Sequence, residues 1–214
     1  MPIVADERQT HNVIPEPARA APAYRIATCG SGDPRRAEAE IFIRSRFLRS
    51  HGARVATFMP TLLLLIDPGE ELAAVAGFRC AQDEPLFLER YLRAPVEKAI
   101  SSQARSPVRR EEIIEVGNFA ATDSRRARIL MSFMPAWFLE RSASWIVFTA
   151  TAAIRGLVTG MGGRCIEVGT ADGACASGGA DEWGRYYESD PRVMAGFLPS
   201  ARRIPALWRS HHGD

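Results

Sequence analysis

Lysine is almost missing from this chain of 214 residues: of its 27 basic side chains, only Lys98 is not an arginine. With 25 acidic residues opposing them the formal charge is +2, which leaves no overall electrostatic footprint for nucleic acid or for an anionic membrane surface. The arginine bias reflects either codon composition or a supply of planar guanidinium groups for phosphate and carboxylate recognition. Histidine is equally sparse. His11, His211 and His212 lie near the chain ends, where order is usually poorest, so a catalytic histidine is not expected. Cys29, Cys80, Cys165 and Cys175 form no CxxC pair and have no histidines at zinc-site spacing, which predicts no metal and a reducing, cytoplasmic compartment. The longest apolar block, 58–66, is broken by Pro60 and Thr61 and reaches about half the length a transmembrane helix needs. Asp6, Glu7 and the lack of an apolar core exclude a secretory signal at the N-terminus.

What is present is ordinary for one globular domain: 46% hydrophobic and 24% charged residues. Residues 1–24, rich in Pro and Ala, read as a disordered leader, 25–198 as a single domain, and 199–214 as a C-terminal tail. Asp33 and Pro34 open a helix that Gly52 closes, with Arg44, Arg46 and Arg49 on a solvated face. Strands are expected over 61–67 and 72–81, joined at Pro68 and Gly69, and over 112–121, 144–151 and 164–168. The segment 84–92, EPLFLERYL, reads as a strand or as a helical turn. Helices are expected from Pro95 to about Gln103, over 124–141 with a kink near Pro135, and over 152–161. Gly and Ala dominate 171–180, a loop. This order predicts an α/β (α+β) sheet with antiparallel and parallel portions.

The chemistry concentrates in IIEVGNFA. Strict alternation places Ile113, Glu115 and Phe119 on one side, so a carboxylate sits among apolar neighbours. Desolvation raises its proton affinity toward neutrality and suits it to general-base work; the alternative is a strand glutamate paired with one of the many arginines. Gly117 inside the strand predicts a bulge. Immediately after it, Thr122, Asp123 or Ser124 can cap a helix whose free amides favour an anion. Arg125, Arg126 and Arg128 in the first turn oppose the helix dipole, an arrangement explained by a bound diphosphate or by arginines that reach solvent and acidic neighbours.

EPLFLERYL, PVEKAI, EVGNFA, VFTAT and WGRYYESDPRVMAG, in that order, resemble the thermostable hemolysin family over about 35–198. That family is distantly similar to N-acyltransferases of the acetyltransferase (GNAT) superfamily and to acyl-homoserine-lactone synthases, whose central strand carries Glu-x-Ser-Arg-Phe-Ala. Here Glu115, Phe119 and Ala120 are kept, while Gly117 and Asn118 replace the Ser and Arg. The resemblance implies a GNAT-like three-layer sandwich: a mixed twisted sheet, bulged at Gly117, with helices on both faces. It also implies a V-shaped opening beside the EVGNFA strand for a pantetheine arm. Asn118, Phe119, Arg125, Arg126 and Arg128 would then meet the donor, acyl-CoA or the acyl-phosphopantetheine of a carrier protein, with no cofactor tightly bound. The RxxGxG/A signature of that superfamily is not matched by TDSRRARIL. By the same analogy Glu84, Glu89, Arg90 and Tyr91 line the acyl or acceptor pocket, and Glu115 is the catalytic base. Tyr186 or Tyr187, with Tyr187 preferred, protonates the leaving thiolate.

The expected function is therefore transfer of an acyl group from a thioester to a small amine-type acceptor, with an acyl carrier protein as a candidate partner. Two other readings stand beside it. One is a membrane-active, haemolytic protein, for which helix 124–141 is the best segment; the other is a GNAT-like domain that binds a ligand without catalysis.

Overall fold

The computed structural model describes residues 24–175 and 182–203. Residues 1–23 of the leader and most of the C-terminal tail proposed from sequence lie outside the described residues, as does half of the Gly/Ala loop, of which 173–175 form a 3-10 turn. Seven strands form one sheet: β1 (Arg25–Cys29), β2 (Thr61–Ile66), β3 (Leu72–Cys80), β4 (Ile113–Ala121), β5 (Trp145–Ala150), β6 (Cys165–Thr170) and β7 (Arg192–Phe197). Their spatial order is β1-β2-β3-β4-β5-β7-β6. Every neighbouring pair is antiparallel except β4 and β5. Helices α1 (Arg36–His51) and α2 (Val96–Ala104) cover one face, and α3 (Ser124–Leu139) and α4 (Ala152–Gly160) the other. The result is the three-layer α/β sandwich expected above.

The apolar pattern explains the layers. TLLLLI in β2 is buried on both faces: Leu62, Leu64 and Ile66 pack with Ile43 of α1, while Leu63 and Leu65 pack with Leu130 and Phe133 of α3. A strand buried on both sides reads as a continuous apolar run, not as an alternation. α3 buries Ile129, Leu130, Phe133, Met134 and Phe138 along its length and continues through Pro135. Its cap is Asp123, whose side chain accepts from Arg126 N–H at 2.9 Å.

Several sequence expectations are corrected. α1 begins at Arg36, not at Pro34; Asp33 instead makes a turn, its carboxylate accepting from Arg35 N–H at 2.8 Å. Gly52 does close the helix, in the left-handed region at φ 68°. Segment 84–92 takes its helical alternative, a 3-10 turn over Phe87–Tyr91. β1 and β7 were not anticipated, and β7 fills the place between β5 and β6.

The bulge expected at Gly117 is present, its extra residue falling immediately afterwards: Val75 pairs with Ala120 but Gly77 with Gly117. Asn118 adopts φ 48°, a left-handed conformation that Asn tolerates better than most residues. The inserted residue reverses the alternation. Phe119 therefore faces the α3 core, whereas Ile113 packs on the α2 side with Leu88, which overturns the shared face assigned to Ile113, Glu115 and Phe119. The Asn118 side chain also holds the segment before β2, accepting from Met59 N–H at 2.8 Å and donating to the Thr57 carbonyl at 3.2 Å. Met59 then lies across the paired glycines: a Cβ on Gly77 would meet Met59 Cβ at 2.6 Å, and one on Gly117 would meet Met59 Cε at 2.6 Å. Asn118→Ala should lower stability by about 1–2 kcal/mol in urea titration, through two lost hydrogen bonds and a costlier positive φ. Asn118→Gly, which relieves only the backbone component, should cost less; equal costs would show that φ is irrelevant there.

Candidate active site

β4 and β5 pair in parallel only from Ile113–Trp145 to Val116–Phe148. Beyond that point β4 bends away at the Asn118 bulge and the two strands part. A cavity of about 520 Å³ occupies the gap and is lined from both faces of the sheet. On the α1 face its walls include Arg46, His51, Met59, Arg79, Trp183 and Tyr186; on the α3 face they include Met131, Met134, Phe148, Leu157 and Val158. One lobe is thus aromatic and polar and the other apolar, joined through the splayed strands.

Glu115 lies at the floor of this gap and is 2% exposed. Its Oε2 accepts from Phe87 N–H and its Oε1 from Leu88 N–H, both at 2.9 Å. Arg79 Nε lies 3.3 Å from Oε2. Burial pushes the carboxyl above its ordinary range, against the opposing pull of the two amides and Arg79. Glu115 is accordingly both a desolvated acid facing a cavity and the staple that holds the 3-10 turn to the sheet.

The other sequence-selected residues divide. Tyr91 lines the cavity, but Glu84, Glu89 and Arg90 do not. Glu84 lies 3.1 Å from Arg79 Nη1. Glu89 is gripped by Arg110 at 2.6 and 2.9 Å and accepts from the amides of Leu86 and Val96. Arg110 above all lowers the Glu89 carboxyl to about 2. Arg90 stacks 3.7 Å over the Phe87 ring and donates to the Phe87 carbonyl. These residues brace the turn that carries the two amides on Glu115. Tyr187 stands outside the cavity lining with its hydroxyl 2.7 Å from that of Tyr91, while Tyr186 lines it. Burial raises the hydroxyl proton affinity of Tyr91, Tyr186 and Tyr187.

Asn118 and Phe119 line the gap. Of the α3 N-terminus, Asp123, Ser124 and Ala127 reach the cavity, but Arg125, Arg126 and Arg128 do not. Arg126 is drawn back onto its own capping residue, Asp123, and Arg125 donates to the Tyr24 hydroxyl at 3.4 Å. Among the described residues no group of three or more His, Cys, Asp or Glu side chains is placed to hold a metal ion.

Arg46, His51 and Met59 are lining residues that sequence reasoning passed over. Arg46, expected on a solvated face, instead borders the cavity with a buried Nε. His51 packs edge-on against Tyr186 at 5.2 Å, and burial, then Arg185, lowers its proton affinity. No local signal marks either residue.

No curated protein matches the chain. Among solved structures it is similar to FeeM, an N-acyl amino acid synthase from uncultured soil microbes, at 14% identity and TM-score 0.61, covering 87% of this chain and 97% of that one. It is also similar to the acyl-homoserine-lactone synthase LasI at 11% identity and TM-score 0.56, covering 87% and 97%. MesI, a CoA-dependent acyl-homoserine lactone synthase, gives 13% identity and TM-score 0.53 over 88% and 100%. At such identities the likeness is one of fold. The thermostable hemolysin family model matches residues 29–202, from the end of β1 past the last strand, and the chain belongs to the thermostable hemolysin family.

Proposed function

We propose that this protein is an acyltransferase that moves an acyl group from a thioester, acyl-CoA or acyl-phosphopantetheine on a carrier protein, to a small amine. The observation that carries the reading is the cavity through the parted strands, with Glu115 at its floor and the Asn118 bulge on its wall. The acyl chain lies in the apolar lobe between α3 and α4, and the acceptor enters the aromatic and polar lobe beneath α1. The amine gives a proton to Glu115, directly or through one water, and attacks the thioester carbonyl. A backbone amide of the bulge polarises that carbonyl. As the C–N bond forms the C–S bond breaks, and the thiolate takes a proton, for which Tyr186 is better placed than the Tyr187 chosen from sequence.

The donor's phosphate end meets the first turn of α3, whose Ser124 borders the cavity, and the helix N-terminus with Arg125 and Arg128 suits one phosphate or two. The cytoplasm, with all four cysteines free, is the compartment we assign. The haemolytic alternative is weakened by α3, whose apolar face is committed to the core, and no helix of the described residues is long and apolar enough to cross a membrane.

Purified protein given short- and long-chain acyl-CoA and acyl-carrier-protein thioesters with a pool of amines is expected to release free thiol, read by a thiol-reactive dye. Folded protein that releases none from any donor would overturn the reading. Dye leakage from liposomes that persists in Glu115→Gln would favour direct membrane action instead.

A further inference from the structure

The aromatic lobe contains a cation that no acid among the described residues neutralises. On α1, Arg36 is engaged by Glu40 and by the carbonyls of Met59 and Pro60, and Arg44 by Glu40 and the Val55 carbonyl. Arg79, across the lobe, is occupied by Glu115, Glu84 and the Met59 sulfur. Arg46 differs from all three. It lines the cavity, its guanidinium lies 5.1 Å above the Phe42 ring, and no carboxylate among the described residues pairs with it. A guanidinium that borders a cavity without an acid partner offers its terminal N–H groups to an incoming acid, in a charge-assisted contact. The guanidinium fork matches a carboxylate in particular.

We propose that Arg46 binds a carboxylate on the acceptor, so that the amine acylated here also carries an acid group, as an amino acid does. The inference rests on the acyl-transfer reading above. An acceptor held by its carboxylate at α1 projects its amine across the lobe toward Glu115 on the sheet. The reaction then consumes a thioester and an amino acid and yields an N-acyl amino acid and a thiol: the nitrogen forms a bond to the acyl carbon, the C–S bond breaks, and the proton lost by nitrogen passes to Glu115 while the thiolate gains one. Phe47, Trp183 and Tyr186 furnish aromatic walls, so a phenyl side chain is a suitable probe.

The test compares N-dodecanoyl-phenylalanine with N-dodecanoyl-phenethylamine, which differ only by the carboxylate, by isothermal titration on the full chain. Wild type is expected to bind the acid at least about 10-fold more tightly, as a charge-assisted contact predicts. Arg46→Gln should bring the two to parity and Arg46→Lys should keep part of the preference, while the phenethylamide, unchanged in both variants, reports an intact lobe. Equal affinities in wild type, or a preference that survives Arg46→Gln, would overturn the proposal, and so would loss of phenethylamide binding in both variants. Turnover separates this inference from the one beneath it. Thiol release with phenethylamine as fast as with phenylalanine sinks the carboxylate site and leaves acyl transfer standing; an Arg46-dependent preference with no thiol release from any donor sinks acyl transfer and leaves the site.

Discussion

Glu115→Gln is expected to slow thioester turnover by about 100-fold or more, the usual worth of a positioned general base, while the KM for the acyl donor changes little. The glutamine cannot accept the amine's proton, but its carbonyl oxygen still satisfies one of the two amides that Phe87 and Leu88 present. The other amide then faces an NH2 group, so a structural cost of about 1–3 kcal/mol accompanies the change. Thermal melting and kinetics below the transition separate the two effects. Turnover that falls only in proportion to the unfolded fraction would reduce Glu115 to a staple.

The pH dependence sharpens this. Burial raises the folded-state proton affinity of Glu115, so its stabilising contribution is complete below the unfolded carboxylate pKa and is lost as pH rises through the raised value. Activity runs the opposite way, since only the carboxylate accepts a proton. The rate should therefore climb with pH over the range in which this group costs stability. In Glu115→Gln both trends should vanish together. A rising limb that persists in the variant would assign the titration to another group.

The sequence revealed the layers better than the site. Helix ends at Gly52 and Asp123, the run TLLLLI and the alternation in β4 are local signals, each carried by residues a few positions apart. β7 was missed because RVMAGF has a small, weakly β-forming centre, and its identity as a strand comes from being flanked by β5 and β6. Phe119 was assigned to the wrong face because one residue in the left-handed region reverses a period of two, and nothing in IIEVGNFA separates a bulge at Gly117 from one at Asn118. Glu115 was recognisable as a buried acid, but its amide partners come from a turn nearly thirty residues earlier. Arg46 shows the limit most clearly: its place on the cavity wall is set by the tertiary fold, and no spacing within α1 separates it from the arginines that face solvent.

Glu89 is where the fold should prove most sensitive to acid. Arg110, with the amides of Leu86 and Val96, lowers its carboxyl from 4.5 to about 2, and because the pair lies near the surface, solvent screening takes part of that interaction. By linkage a depressed carboxylate stabilises the fold above its unfolded pKa and loses that contribution as pH falls through the folded value, a contribution of about 1–2 kcal/mol at neutrality after screening. Glu89→Gln should lower the urea-derived stability by about that amount at pH 7. The gap to wild type should shrink as pH drops from 4.5 toward 2, where wild-type Glu89 is itself becoming protonated. Because Arg110 also binds Glu97 at 3.1 Å, Glu97→Gln should cost less than Glu89→Gln. A gap for Glu89→Gln that does not change with pH would mean that shape, not charge, holds the turn. That turn presents the Phe87 and Leu88 amides to Glu115, so loosening it should shift the pH–rate midpoint as well. An unshifted midpoint in a destabilised Glu89→Gln would uncouple the brace from the base.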